Sequence, residues 1–233
     1  AYLLPAALRL VGALDPKALA KSFGALVARH EILRTTFVVD DGEPAQRIAP
    51  PAAVPVPVHD LAGLPPEHVK SEIHRLALED ARRPFDLARG PLLRVALVRL
   101  GDWEHALLLN LHHIVADAWS IGVLIRELTT LYASLTQGTS ALLPKLPVQY
   151  ADYAVWQRNW LQGEALEAQL AWWRRELTGA ATSLDLPFDR PRPAVSSHRG
   201  GQVALVLSAE LTAAVGALSR HQGATLFMTL LAG

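Results

Sequence analysis

Apolar and polar positions follow two periods along this chain, one close to two residues and one close to 3.6, and their alternation predicts an α/β layout. Residues Ala6 to Val11 read as a strand. Asp15-Pro16 then opens a helix, with Asp as the N-cap and Pro at the first helical position. Leu19, Phe23, Leu26 and Val27 form a single stripe at helical spacing along it. Leu33 to Val39 is β-rich, and Asp40-Asp41-Gly42 is a turn signal leading to a second strand near Gln46 to Ile48. In the Pro-rich stretch that follows, Val54, Val56 and Val58 alternate as in an edge strand. Val69 to Arg83 has helical spacing.

Leu92 to Leu100 and His105 to Val115 read as two strands joined by Gly101-Asp102-Trp103-Glu104. Both are apolar on both faces, which places them centrally in a sheet. Trp119 to Leu135 is helical and closed by Gly138. A pair of Trp-rich helices follows, at about Val148 to Leu161 and Ala165 to Leu177. The composition then shifts. Leu184 to Gly201 is Pro-rich with few apolar anchors and is the best linker candidate. Beyond it come a strand over Val203 to Leu207, a helix capped by Ser208 and a helix starting at Thr225. The expected division is residues 1–180 as one lobe, 181–201 as a linker and 202–233 as the start of a second, truncated lobe.

Composition narrows the function classes. Hydrophobic residues make up 51%, enough for a substantial core. Lys+Arg and Asp+Glu are both 22, so no basic excess exists to neutralise phosphates, and nucleic acid is not an expected partner. The absence of cysteine excludes disulfides, thiolate metal sites and a cysteine nucleophile, and fits a reducing cytoplasm. No apolar run is long enough to span a bilayer, and the first residues lack the basic segment of a signal peptide. The chain lacks an initiator Met and stops within an apolar helical pattern, so both ends read as cut from something longer.

The sharpest chemical feature is Leu111-His112-His113-Ile114-Val115-Ala116-Asp117-Ala118-Trp119-Ser120, at the end of a buried strand and just before a helix. Strand neighbours point to opposite faces, so His112 and His113 cannot line one pocket unless the strand breaks there. Each residue also has a plain structural reading: a histidine satisfied in the core, Asp117 as a helix cap, Ser120 as a first-turn residue. A metal site needs more ligands than this pair offers. The serine-hydrolase elbow and the glycine-rich phosphate loops are absent. A second cluster, Arg29-His30-Glu31-Ile32-Leu33-Arg34-Thr35-Thr36-Phe37, sits where a helix passes into a strand, where basic residues are favoured by the helix dipole. A third, Tyr150-Ala151-Asp152-Tyr153-Ala154-Val155-Trp156, lies on a helix as an aromatic packing face.

These three clusters, in this order, resemble the condensation domains of nonribosomal peptide synthetases. The family's HHxxxDG signature reads HHIVADA at His112 to Ala118, RHExLRTxF matches Arg29 to Phe37, and YxDYAVW matches Tyr150 to Trp156. The resemblance implies a two-lobed fold similar to chloramphenicol acetyltransferase, a mixed sheet flanked by helices in each lobe. It implies amide-bond formation between a donor thioester and an acceptor amine. Donor and acceptor peptidyl carrier proteins deliver these on phosphopantetheine arms, beside an adenylation domain, and the domain binds no cofactor or metal of its own. His113 is the catalytic residue by this resemblance and His112 its support. Asp117 is an architectural residue held by a buried Arg, with Arg34 the expected partner and Arg29 the second choice. Ala118, Trp119 and Ser120 are expected along the substrate channel. Ala118 stands where the family has Gly, beside the path of the substrate arm. Asp117-Ala118-Trp119-Ser120 with Ile121-Gly122-Val123-Leu124 looks most like the subtype that accepts an L-configured donor. Two other readings remain: a silent module that only docks carrier or tailoring proteins, and an ester-forming acyltransferase of the same superfamily.

Overall fold

The computed structural model describes residues 2–183, 187–191, 193, 195, 201 and 203–233. In chain order the elements are β1 (Leu3–Val11), α1 (Pro16–Arg29), a 3-10 turn (Glu31–Arg34), β2 (Thr35–Asp40), β3 (Glu43–Ile48), β4 (Val58–Asp60), α2 (Pro66–Arg82), β5 (Leu93–Arg99), β6 (Glu104–His112), α3 (Ala118–Gln137), α4 (Tyr150–Trp160), α5 (Gly163–Leu177), α6 (Ala209–His221) and α7 (Leu226–Ala232). Two compact units result, Ala1–Thr182 and Ser183–Gly233.

In the first unit β1, β6, β5 and β4 form a mixed sheet in that order, antiparallel except for the β4–β5 pair. The central strands β5 and β6 are the two whose residues are largely apolar on both faces, because helices cover both. On one face Leu93, Val95 and Leu97 of β5 and Leu107, Leu109 and Leu111 of β6 point inward together. They pack against Leu19, Phe23, Leu26 and Val27 of α1 and Leu124 and Leu128 of α3. On the other face Val98, Ala106 and Leu108 meet Ile73 and Leu76 of α2. The β1 face opposite α1 stays exposed at Pro5, Ala7, Arg9 and Val11, which suits its edge position.

Local chemistry sets the element ends. Asp15 accepts hydrogen bonds from the Lys17 and Ala18 amides (2.8 and 3.1 Å) and Pro16 opens α1. Gly138, at φ +67, closes α3 in the left-handed conformation. Asp41 and Gly42 both have positive φ, the twist a tight β2–β3 hairpin needs. Three expectations are corrected. Residues 31–34 form a 3-10 turn rather than the start of β2. The edge strand is only Val58–Asp60, since Val54 and Val56 turn inward to the core. Val203 to Leu207 is not a strand: its residues are largely exposed and no described strand pairs with them, so alternation alone had no ladder to join.

In the second unit, Ser208 caps α6 by accepting from the Leu211 amide at 3.2 Å, and Thr225 caps α7. The Ser219 and Thr229 hydroxyls bond across the two helices at 2.7 Å. The expected linker at Leu184 to Gly201 lies largely outside the described residues.

Candidate active site

Strand β6 ends at His112, not at Val115 as the hydrophobic pattern predicts. The cause is His112 itself. Its Nδ1 accepts a hydrogen bond from the Ile114 amide (3.1 Å), and its carbonyl accepts from the Val115 amide (3.0 Å). The chain therefore turns out of the sheet immediately after His112. His113 is carried into the open, its amide donating to the Tyr2 carbonyl at 2.8 Å. It no longer shares a face with Leu107, Leu109 and Leu111, so the two adjacent histidines take separate tasks: His112 shapes the turn and His113 is presented by it.

An imidazole that accepts at Nδ1 must be neutral. Burial, and then the neighbouring His113, hold His112 below its ordinary value near 6.5. Burial, followed by the charge of Arg99, also lowers His105, outweighing the opposing pull of Asp102. Protonating His105 would put a charge on a side chain that is 5% exposed and whose Nδ1 has no partner. For both groups the folded value lies below the unfolded one. Their contribution to stability is complete above about 6.5 and is lost as pH falls through the folded values. The urea midpoint should accordingly drop on the acid side of neutrality, and less steeply in His105→Gln, as denaturation curves at a series of pH values will report.

Asp117 is the N-cap of α3. Its Oδ1 accepts from the Ser120 amide (2.8 Å) and the Ser120 hydroxyl (2.6 Å). These bonds, led by the hydroxyl and helped by the charge of His113, hold its carboxyl below the usual carboxylate range. The expected buried Arg–Asp117 pair is not formed. Arg34 donates instead to the Ala49 carbonyl and to Glu31, and Arg29 to Glu127 and the Pro144 carbonyl. Asp117 is exposed and already satisfied by its own helix, so nothing draws an arginine to it. Asp117→Ala should lower the melting temperature by only about 2–4 °C, the loss of one cap, a value that thermal unfolding by circular dichroism checks directly.

Ala118 is the first residue of α3 and has no positive φ, so the backbone there does not require the glycine of the signature. Trp119 is 83% exposed. Trp119 and Ser120 rim an apolar recess of about 150 Å³ between α1, the 3-10 turn and α3, lined also by Leu26, His30, Ile32 and Val115. The first and second motifs thus meet at this recess.

The remaining motif residues converge on a cluster that the hydrophobic pattern does not reveal. Glu127 projects from the buried stripe of α3, its side chain 9% exposed, and receives His30 Nε2 at 2.6 Å and Arg29 Nε at 3.0 Å. Burial raises its carboxyl, but the His30 and Arg29 hydrogen bonds and charges together outweigh this and leave it below the usual range. Gln149 completes the join. Its side chain accepts from the Glu31 amide (3.1 Å) and donates to the Arg29 carbonyl (3.0 Å), while its own amide donates to Asp152 (2.8 Å). The signal for Glu127 was a carboxylate in step with Leu124 and Leu128 on an otherwise apolar stripe. Trp156 lies in a ladder with Tyr153 and Trp160, ring centroids 5.5 and 5.7 Å apart, and is half exposed rather than buried. Among the described residues no group of three or more His, Asp or Glu is arranged to hold a metal, and no helix is long and apolar enough to cross a membrane.

With the paired-His turn, the capped helix and the interlocked motifs in place, comparison with known proteins assigns the chain. A family model for the condensation domain matches residues 1–233. The chain belongs to the condensation domain family. It is 51% identical over 231 residues to a linear gramicidin synthase protein of Brevibacillus parabrevis, covering 99% of this chain and 3% of that protein. It is 47% identical over 230 residues to the phosphinothricin tripeptide synthetase PhsC of Streptomyces viridochromogenes, covering 99% of this chain and 21% of that protein. The structure resembles the X-domain in its complex with OxyB from teicoplanin biosynthesis, with a TM-score of 0.80 and 35% identity over 97% of this chain and 49% of that one. This condensation-family chain therefore spans about half the length of the structural neighbour and a small part of the synthetases it matches.

Proposed function

We propose that this chain is the part of a peptide-bond-forming condensation domain that carries the catalytic turn. The observation that supports this most directly is the break after His112, which lifts His113 out of the sheet into the open beside the start of α3. The amine of an acceptor aminoacyl group attacks the donor thioester carbonyl; the C–N bond forms, the C–S bond breaks, and the amine proton passes through the His113 imidazole to the departing thiolate. A neutral imidazole suits that transfer near neutral pH. The thioester is already reactive, so alignment carries much of the catalysis. Donor and acceptor peptidyl carrier proteins bring the two groups on phosphopantetheine arms, next to an adenylation domain, in the cytoplasm. Trp119 and Ser120 border the substrate path, with Ala118 beside them. Residues 181–201 link this lobe to a second one begun by residues 202–233, and the donor is L-configured.

A second reading is a docking module. The likeness to an X-domain seen in complex with OxyB favours it. His112, His113 and Asp117 are all present here, which favours the enzyme. The experiment that separates them supplies donor-loaded and acceptor-loaded carrier proteins to the domain within its synthetase and follows the acceptor arm by mass spectrometry. Condensed product on that arm is the expected result; carrier binding without product would leave the docking reading standing.

A further inference from the structure

Behind the His112 turn, on the α2 face of the sheet, a line of side chains outside all three motifs leads to the imidazole. Asn110 and Arg94 are cross-strand partners on β6 and β5. Arg94 Nε lies 2.8 Å from Asp80 Oδ1, and its Nη2 donates to the Asp80 and Arg83 carbonyls at 2.8 and 2.9 Å. Asp80 Oδ2 in turn accepts from Asn110 Nδ2 at 2.9 Å. The guanidinium is thus fixed from several sides, and its Cζ rests 3.8 Å from the centroid of the Phe85 ring. Phe85 meets His112 edge-on, with centroids 6.1 Å apart and planes at 89°.

The consequence lies in the imidazole's orientation. With Nδ1 aimed at the Ile114 amide the ring adds a side-chain bond to the turn that the His112 carbonyl also closes, and a flip of the ring would aim a carbon at that amide instead. Among the described residues no second hydrogen bond to the His112 side chain is formed, and the edge-on ring of Phe85 is placed to restrain it. We infer that Phe85, backed by Arg94, is a positioning residue for His113, acting through the ring orientation of His112. The inference rests on the reading of His113 as the catalytic group. Phe85 itself touches no reacting atom.

Phe85→Leu keeps an apolar side chain of similar bulk but removes the ring, and Phe85→Tyr restores it. Two readouts are taken: the ¹⁵N shifts of the His112 imidazole in the labelled chain, assigned by their absence in His112→Asn, and the condensation kinetics in the full synthetase. Wild type and Phe85→Tyr should show a single neutral tautomer protonated at Nε2. Phe85→Leu should show averaged shifts and a kcat lower by about 10- to 100-fold, with KM for the loaded carriers unchanged. Unaltered His112 shifts in Phe85→Leu would overturn the inference, as would altered shifts with normal kcat, or an equal loss of kcat in the Leu and Tyr variants. A wild-type domain that forms no product at all points to failure of the condensation reading instead, and the ¹⁵N readout then still decides whether Phe85 holds the turn.

Discussion

His113→Ala should lower the rate of condensation between loaded carrier proteins by about 10²- to 10⁴-fold, the range over which a positioned acid–base group contributes, while leaving the fold intact. The second half of that expectation comes from the geometry. His113 is exposed, and the bond that anchors it runs from its backbone amide to the Tyr2 carbonyl, which alanine retains. His112→Ala is different in kind. It removes the acceptor that closes the turn at Ile114, so it should lower both rate and stability. Far-UV circular dichroism and urea midpoints alongside product formation tell the two apart. A folded His113→Ala domain that condenses at the wild-type rate would remove His113 from the chemistry and return the turn to a structural role. A folded mutant slowed less than about tenfold would make alignment, rather than proton transfer, the main contribution of the site.

What could be read from the sequence follows how local the responsible interactions are. α1 was legible because Asp15, Pro16 and the Leu19–Val27 stripe act within a few residues of one another. The central place of β5 and β6 was legible because strands covered on both faces have no polar side. The end of β6 was not. Ile114 and Val115 continue a strand-like pattern, and the turn is closed by the His112 carbonyl and by its ring bonding the backbone two residues ahead, which hydrophobic periodicity does not register. The pairing of Asp117 with Arg34 failed for a related reason. A cap bond to Ser120 three residues away satisfied the carboxylate before any distant arginine was needed. The partner that Arg29 and His30 do have, Glu127, is 97 residues or more from each of them, and only the packing of α1 on α3 brings it near.

That partnership carries the largest stability effect expected from a single polar side chain here. Glu127→Ala would take the shared carboxylate from Arg29 and His30 in a site where their side chains are 17% and 20% exposed. Removing one member of a buried charged cluster is more damaging than never having built it, and a loss of roughly 3 kcal/mol is expected. It should appear as a lower urea midpoint at an unchanged slope, since the surface exposed on unfolding hardly changes. Glu127→Gln keeps an acceptor and should lose less. The pH dependence adds an independent check. The Glu127 carboxyl is held below its ordinary value near 4.5, so its contribution is complete above that value and is lost as pH falls through the lower folded one. The wild-type chain should therefore lose part of its advantage over Glu127→Gln in acid, and the two stability curves should converge there. Parallel curves across that range, or a Glu127→Ala midpoint equal to wild type, would show that α1 and α3 are held together by their apolar contacts alone. The cluster also bears on catalysis, because His30 lines the recess below Trp119 and Ser120. Loosening α1 from α3 should therefore disturb the start of α3 and the turn that presents His113. A Glu127→Ala domain assayed at a temperature where it remains folded should thus show a reduced rate in addition to its reduced stability, whereas Glu127→Gln should lose less of both.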